Sequence, residues 1–139
     1  MRYLLDTNIC IYLMKVHPPE VVERFKRTPM GQVGMSVVTY AELRHGVERC
    51  PPLDRPLAEN ALVRLVARVP VVAFDERAAD AYGVIAAAIR DRRRDALDRL
   101  IAAQAISIGV TLITNDEADF KDYPGLSVEN WVNPSHTTD

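Results

Sequence analysis

Apolar residues recur along this chain in two rhythms, short runs and helical stripes, that replace one another from end to end. Residues 2–6, with Tyr3, Leu4 and Leu5, read as a short buried strand. Residues 8–15 read as a helix that stops before Pro18-Pro19, and Pro19 suits the first turn of a second helix over 20–27. Gly31 and Gly34 bracket a strand over 32–35. Residues 36–49 read as a helix broken by Pro51-Pro52, and 58–67 as a further helix. Residues 69–74, with Pro70 near the start, read as a strand. Asp75 caps a helix carrying Ala78, Tyr82, Ile85 and Ile89 on one face. Asp95 opens the next, whose apolar stripe is Leu97, Leu100, Ile101, Ala105 and Ile108; Gly109 fits the left-handed position that ends it. A strand over 110–113, a short acidic turn and a last strand over 126–132 complete the pattern.

Strands alternating with helices predict an α/β fold with a mainly parallel central sheet covered on both faces, a three-layer α/β/α arrangement. One domain is expected over residues 1–132, followed by a polar C-terminal tail over 133–139. The chain shows no internal repeat, low-complexity tract or interdomain linker.

Composition narrows the classes. The 139 residues are 48% hydrophobic and 26% charged, enough for a real core. The formal net charge of −2 means that an anionic partner has to be held by a local basic patch or by metal. Cys10 and Cys50 lie in no metal-type spacing and read as reduced thiols. No apolar run approaches a membrane span, and Asp6 comes too early for a signal peptide, so a cytoplasmic protein without membrane contact is expected.

The chemistry lies in the acids. Asp6 follows the first strand directly, and aspartate is poor strand material. Asp116 and Asp119 follow the strand over 110–113, and Glu42 and Asp98 stand near helix starts. Ligands of open parallel sheets bind outside the carboxyl ends of the strands. Carboxylates gathered there bind hard divalent cations, which can cleave phosphodiesters. Each acid also has a plain reading. Thr39-Tyr40-Ala41-Glu42 is a potential capping box, Asp98 follows the possible cap Asp95 at the same spacing, Asp116 can open a turn, and Asp119 can be solvated. Capping explains each residue singly. It does not explain their convergence on one sheet edge, where like charges repel unless a cation joins them.

Arg90, Arg92, Arg93, Arg94 and Arg99 cluster beside Asp98, either as a solvated helix end or as a phosphate clamp. His17, His45 and His136 have no ligand spacing, and the glycines form no phosphate loop.

With the acids placed, the chain resembles PIN-domain ribonucleases, and more narrowly the VapC toxins of bacterial type II toxin–antitoxin (VapBC) pairs. Leu4-Leu5-Asp6-Thr7-Asn8-Ile9-Cys10 is similar to the family's opening motif. Ser36-Val37-Val38-Thr39-Tyr40-Ala41-Glu42-Leu43, with Gly46, is similar to the second, and Asp98-Arg99-Leu100-Ile101-Ala102-Ala103 to the third. Thr114-Asn115-Asp116-Glu117-Ala118-Asp119-Phe120, with Gly125-Leu126 and Glu129-Asn130-Trp131, is similar to the closing motif. Each is weak alone; all four in order are specific.

The resemblance implies a metal-dependent endoribonuclease toxin using Mg²⁺ or Mn²⁺. Asp6, Glu42 and Asp98 would be core metal ligands, with Asp116 or Asp119 as the fourth acid. Thr7, Asn8 and Thr114 would be polar groups supporting them. Arg92, Arg93 and Arg94 are expected to meet substrate on grounds of charge and position beside Asp98, not of the resemblance. The segment Asp91-Arg92-Arg93-Arg94-Asp95 is more charged than the Gly-Xaa-Pro-Ile-Gly common in relatives. Further implied are a homodimer, a cognate VapB-type antitoxin, an RNA substrate, and operator DNA contacted only through the antitoxin. The alternatives are a PIN-type nuclease of RNA processing or DNA metabolism without a toxin role, and a non-catalytic PIN-fold binding module. A receiver-type phosphoacceptor fits less well, because Lys121 comes too late after the acidic turn.

Overall fold

The computed structural model describes residues 1–89 and 96–132. Five short strands, β1 (Tyr3–Leu5), β2 (Val33–Ser36), β3 (Val71–Val72), β4 (Thr111–Ile113) and β5 (Ser127–Glu129), form one sheet in the order β3-β2-β1-β4-β5. Every neighbouring pair is parallel, with Leu4 opposite Gly34 on one side and Leu112 on the other. Parallel neighbours cannot be joined by tight hairpins. The crossovers are made by α1 (Thr7–Lys15), α2 (Pro19–Arg27), α3 (Val37–Glu48), α4 (Arg55–Arg68), α5 (Glu76–Ala88), α6 (Ala96–Ile108) and the single turn α7 (Glu117–Phe120).

The pleat sends alternate side chains of β1 into two cores. Tyr3 and Leu5 join Val33 and Met35 beneath α1 to α4, against Ile9, Val21, Leu43, Val47, Leu62 and Leu65. Leu4 joins Leu112 on the opposite face, against Ile85 of α5 and Ile101, Ala102 and Ala105 of α6. This is the expected three-layer α/β/α arrangement with a parallel sheet. Among the described residues, no helix is long and apolar enough to cross a membrane.

Several boundaries moved for local reasons. The strand expected over 69–74 shrinks to Val71–Val72 because the Val69 N–H closes on Leu65 O at 2.8 Å, prolonging the helical path, and Pro70 has no N–H to pair. The strand expected over 126–132 is only Ser127–Glu129; the chain then turns Trp131 inward, fully buried and edge-on to Tyr3 at 5.6 Å. The stripe expected on α6 is rotated. Leu97 and Ile108 are exposed, and Ile101, Ala102, Ala103 and Ala105 face the core, because small residues let α6 approach the sheet. Gly109 (φ +71) ends α6 as expected. Val16 ends α1 at φ +56, a left-handed conformation unusual for a β-branched residue, with its side chain 68% exposed. Asp95 and the polar tail lie outside the described residues.

Candidate active site

The strands' carboxyl ends deliver the acids to one edge. Asp6 leaves β1 in extended geometry and becomes the N-cap of α1, its Oδ1 accepting from Ile9 N at 2.9 Å. Its own N–H donates to Ile113 O of β4 at 3.0 Å, so it is pinned through both side chain and backbone. Asp6 is only 6% exposed. Burial is the main reason its carboxyl is pushed up from 3.8 to about 6. Hydrogen bonds from the Thr114 side chain and the Ile9 N–H oppose that rise, and the charges of Asp116 and Glu42 add to it. Beneath it lies Cys10, whose buried thiol is pushed well above its usual range by burial and then by the Asp6 charge.

Glu42 arrives from α3, and here the structure corrects the capping-box expectation. The cap of α3 is Ser36, whose Oγ accepts from Val38 N at 3.0 Å. Thr39 is thereby carried into the first turn and fully buried. Glu42 reaches across to α1 instead, where Oε1 accepts from Thr7 Oγ1 at 2.6 Å. That hydroxyl has one hydrogen, so the 3.2 Å contact between Thr7 Oγ1 and Thr39 Oγ1 leaves Thr39 to donate. Glu42 is therefore oriented by a two-hydroxyl relay, not engaged in capping its own helix.

Asp98 lies in the first turn of α6 and is half-buried. Since α6 precedes β4, which is parallel to β1, its N-terminus lies at the same sheet edge as Asp6. Thr114, buried at the end of β4, hydrogen bonds Asp6 and accepts from Asp116 N at 3.0 Å. Asp116 is exposed and close enough for its charge to raise Asp6, whereas Asp119 is half-buried one turn further along α7. Asn8 is exposed in the first turn of α1. Arg92, Arg93 and Arg94 lie outside the described residues. Arg99 is buried on α6 at 8% exposure.

Two groups escaped sequence reasoning. Thr39 does more than a capping residue would. Asn115 sends Nδ2 to Tyr12 Oη at 2.9 Å, tying the turn before Asp116 to the helix that begins at Asp6. The signal for Thr39 is a polar residue amid apolar positions, whereas Asn115 stands in a polar turn where nothing in the sequence singles it out.

The donors gathered here are carboxylate and hydroxyl oxygens, a hard set that suits Mg²⁺ or Mn²⁺. A buried carboxylate raised by two neighbouring negative charges is an electrostatic setting that a cation relieves. Among the described residues, no three His, Cys, Asp or Glu side chains are drawn together to metal-holding distance as placed. Beside the acids, with Glu42 on its rim, runs an apolar groove of about 460 Å³ between α1, α3 and α4, walled by Ile11, Met14, Leu43, Val47, Leu57 and Ala61.

Comparison with known proteins agrees with this geometry. The PIN domain family model matches residues 3–126. The tRNA(fMet)-specific endonuclease VapC of Shigella flexneri is 35% identical, over 94% of this chain and 98% of its own. A ribonuclease VapC of Haemophilus influenzae is 32% identical, over 95% and 99%. The DNA-bound VapBC structure from Salmonella typhimurium contains a chain similar at a TM-score of 0.82 and 29% identity, over 94% of this chain and 98% of that one. The chain belongs to the PIN domain family and, within it, to the VapC ribonucleases.

Proposed function

We propose that this protein is a divalent-metal-dependent endoribonuclease acting as the toxin of a type II toxin–antitoxin pair. The observation that carries the chemistry is Asp6, buried, doubly pinned and raised to about 6 among other acids at the carboxyl edge of the sheet. Membership of the VapC ribonucleases supports RNA as the substrate class.

Asp6, Glu42, Asp98 and Asp116 are the residues that would hold Mg²⁺ or Mn²⁺. Asp116 is favoured over Asp119 because its charge reaches Asp6. The ion would supply Lewis acidity, making water a nucleophile at neutral pH and offsetting charge on phosphoryl oxygens. The protein's own contribution is preorganisation. Asp6 Oδ1 is committed to the Ile9 N–H, which fixes the carboxylate against the first turn of α1. Thr7 fixes Glu42 through Oε1. Thr114 holds Asp6 by its side chain and Asp116 by its backbone, linking two acids through one hydroxyl. Glu42 and Asp116 keep negative potential on Asp6, so a cation binding there restores its charged form.

Inhibition fits the same site. The apolar groove meets the acids at Glu42. A VapB-type antitoxin would place an amphipathic segment in the groove and a basic side chain, best an arginine, on the carboxylates. Operator DNA would be reached through that antitoxin, as the DNA-bound VapBC relative suggests, and the toxin would act as a homodimer. The test is cleavage of a defined RNA with Mn²⁺ by the parent and by Asp6→Asn. Loss of cleavage in the folded variant is expected; parental cleavage by it would refute the assignment.

A further inference from the structure

The opposite edge of the sheet holds a second polar pocket, of about 310 Å³, lined by Arg2, Tyr3, Arg24, Arg27, Thr28 and Gln32 among others. Tyr3 starts β1 and Asp6 follows its end, so about 10 Å of strand separates the two edges. No Asp or Glu lines this pocket. Arg24 is neutralised by Glu129 at 2.9 Å, whereas among the described residues Arg2 and Arg27 have no carboxylate at ion-pair distance. Two guanidinium groups without a carboxylate partner therefore stand in a concave site on a chain whose net charge is −2, Arg27 facing only the carbonyl end of its own helix.

Aromatic rings hold two of the three arginines in place. Arg2 lies over the Tyr3 ring at 5.1 Å and Arg24 over the Trp131 ring at 5.3 Å. Arg24 also donates to Tyr3 Oη at 3.4 Å, and Thr28 Oγ1 donates to Arg24 O at 2.8 Å. Of the two arginines without a carboxylate partner, Arg2 is thus fixed in advance and loses little freedom on meeting an anion, and the forks of both match phosphate oxygens.

We propose that this pocket binds a phosphate group, and that its source is a backbone phosphodiester of the RNA substrate far from the bond that is cut; the choice of source rests on the ribonuclease reading above. Phosphate contacts position a nucleic acid without reading its sequence. Here they would set how a folded RNA lies across the domain. A substrate reaching both edges has to span the sheet, so the pocket and the acidic edge act together on large RNAs, whereas a short oligonucleotide meets one edge at a time.

The test uses the full-length chain carrying Asp6→Asn, so that RNA stays intact during binding. Inorganic phosphate, a tetranucleotide and a folded tRNA-sized RNA are titrated against this protein, against the same chain with Arg2→Ala and Arg27→Ala, and against a charge-matched control with Arg49→Ala and Arg77→Ala. Arg24 is left alone because it also packs on Trp131. Phosphate is expected to shift the Arg2 and Arg27 guanidinium NMR signals. The large RNA should bind the pocket variant about tenfold more weakly, with a log–log salt slope shallower by about 0.7 to 1.4 than the control's. The tetranucleotide, too short to reach both edges, should lose less affinity in the pocket variant than the large RNA does; an equal loss would overturn the bridging of the two edges. Phosphate binding with RNA affinity and slope equal to the control's would overturn the RNA source, and absence of any phosphate shift would overturn the site. Cleavage of the same RNA by the unmutated chain is scored separately, so failure of the nuclease reading shows itself without touching the phosphate result.

Discussion

Thr7 Oγ1 donates to Glu42 Oε1 across 2.6 Å, joining the first turn of α1 to the second turn of α3 although 35 residues separate them. It is a hydrogen bond to a carboxylate, which is short and strong for its kind. Replacing Thr7 with Val keeps the shape and removes the donor. Glu42 then loses its orientation and Thr39 its acceptor. We expect kcat to fall at least tenfold and stability to drop by about 1–2 kcal/mol, read from single-turnover RNA cleavage and urea unfolding. Unchanged kcat would show that Glu42 needs no such orientation.

Asp6 should make stability depend on pH in an unusual direction. Its folded value of about 6 lies above its ordinary 3.8, so the folded state holds the proton more tightly. Its stabilising contribution is complete below about 4 and is lost as pH rises through 6. The displacement corresponds to roughly 3 kcal/mol between acid and neutral pH. Asp6→Asn keeps the cap on Ile9 and has no charge to bury. In chelator at pH 7.5 the variant should melt above the parent, and at pH 4 the advantage should vanish. A variant that melts lower at both pH values would mean that burial does not strain Asp6.

Val16 carries strain that glycine would not. A left-handed conformation costs an L-residue about 1–2 kcal/mol, partly offset by the backbone entropy that glycine adds to the unfolded chain. Val16→Gly is expected to raise stability by about 0.5–1 kcal/mol. Denaturant unfolding settles it: a loss of stability would show that the exposed side chain contributes packing.

Leu57 is 73% exposed on the wall of the apolar groove. A charge placed there should oppose an apolar partner without touching the acids. Leu57→Glu is expected to weaken binding of the cognate antitoxin at least tenfold while RNA cleavage stays at the parental rate. Equal antitoxin affinity in calorimetry would move the inhibitor's docking site elsewhere.

Much of this architecture is legible in the chain because local and global preferences agree. Pro19, Asp75 and Gly109 punctuate helices where the sequence places them, and the run Tyr3-Leu4-Leu5 is buried on both faces as a central parallel strand requires. The edge carrying Asp6, Glu42 and Asp98 follows from strand order alone. What was not legible depended on competition between neighbours. Ser36 and Thr39 are both able to cap α3, and the point at which β2 releases the chain favours Ser36. The buried face of α6 is hard to read because Leu97 and Ile108 are stronger apolar signals than alanines, although close approach to the sheet favours small side chains. Asp116 and Asp119 are equivalent in sequence and separate only once Thr114 holds the backbone of one of them.

The most direct test of the account is metal add-back. The purified protein is stripped with chelator, and cleavage of a defined RNA is followed before and after Mn²⁺ is returned, with Asp98→Asn in parallel. The account predicts no cleavage in chelator, recovery with Mn²⁺ in the parent, and a much higher Mn²⁺ requirement or no recovery in the variant. Full cleavage in chelator would contradict it.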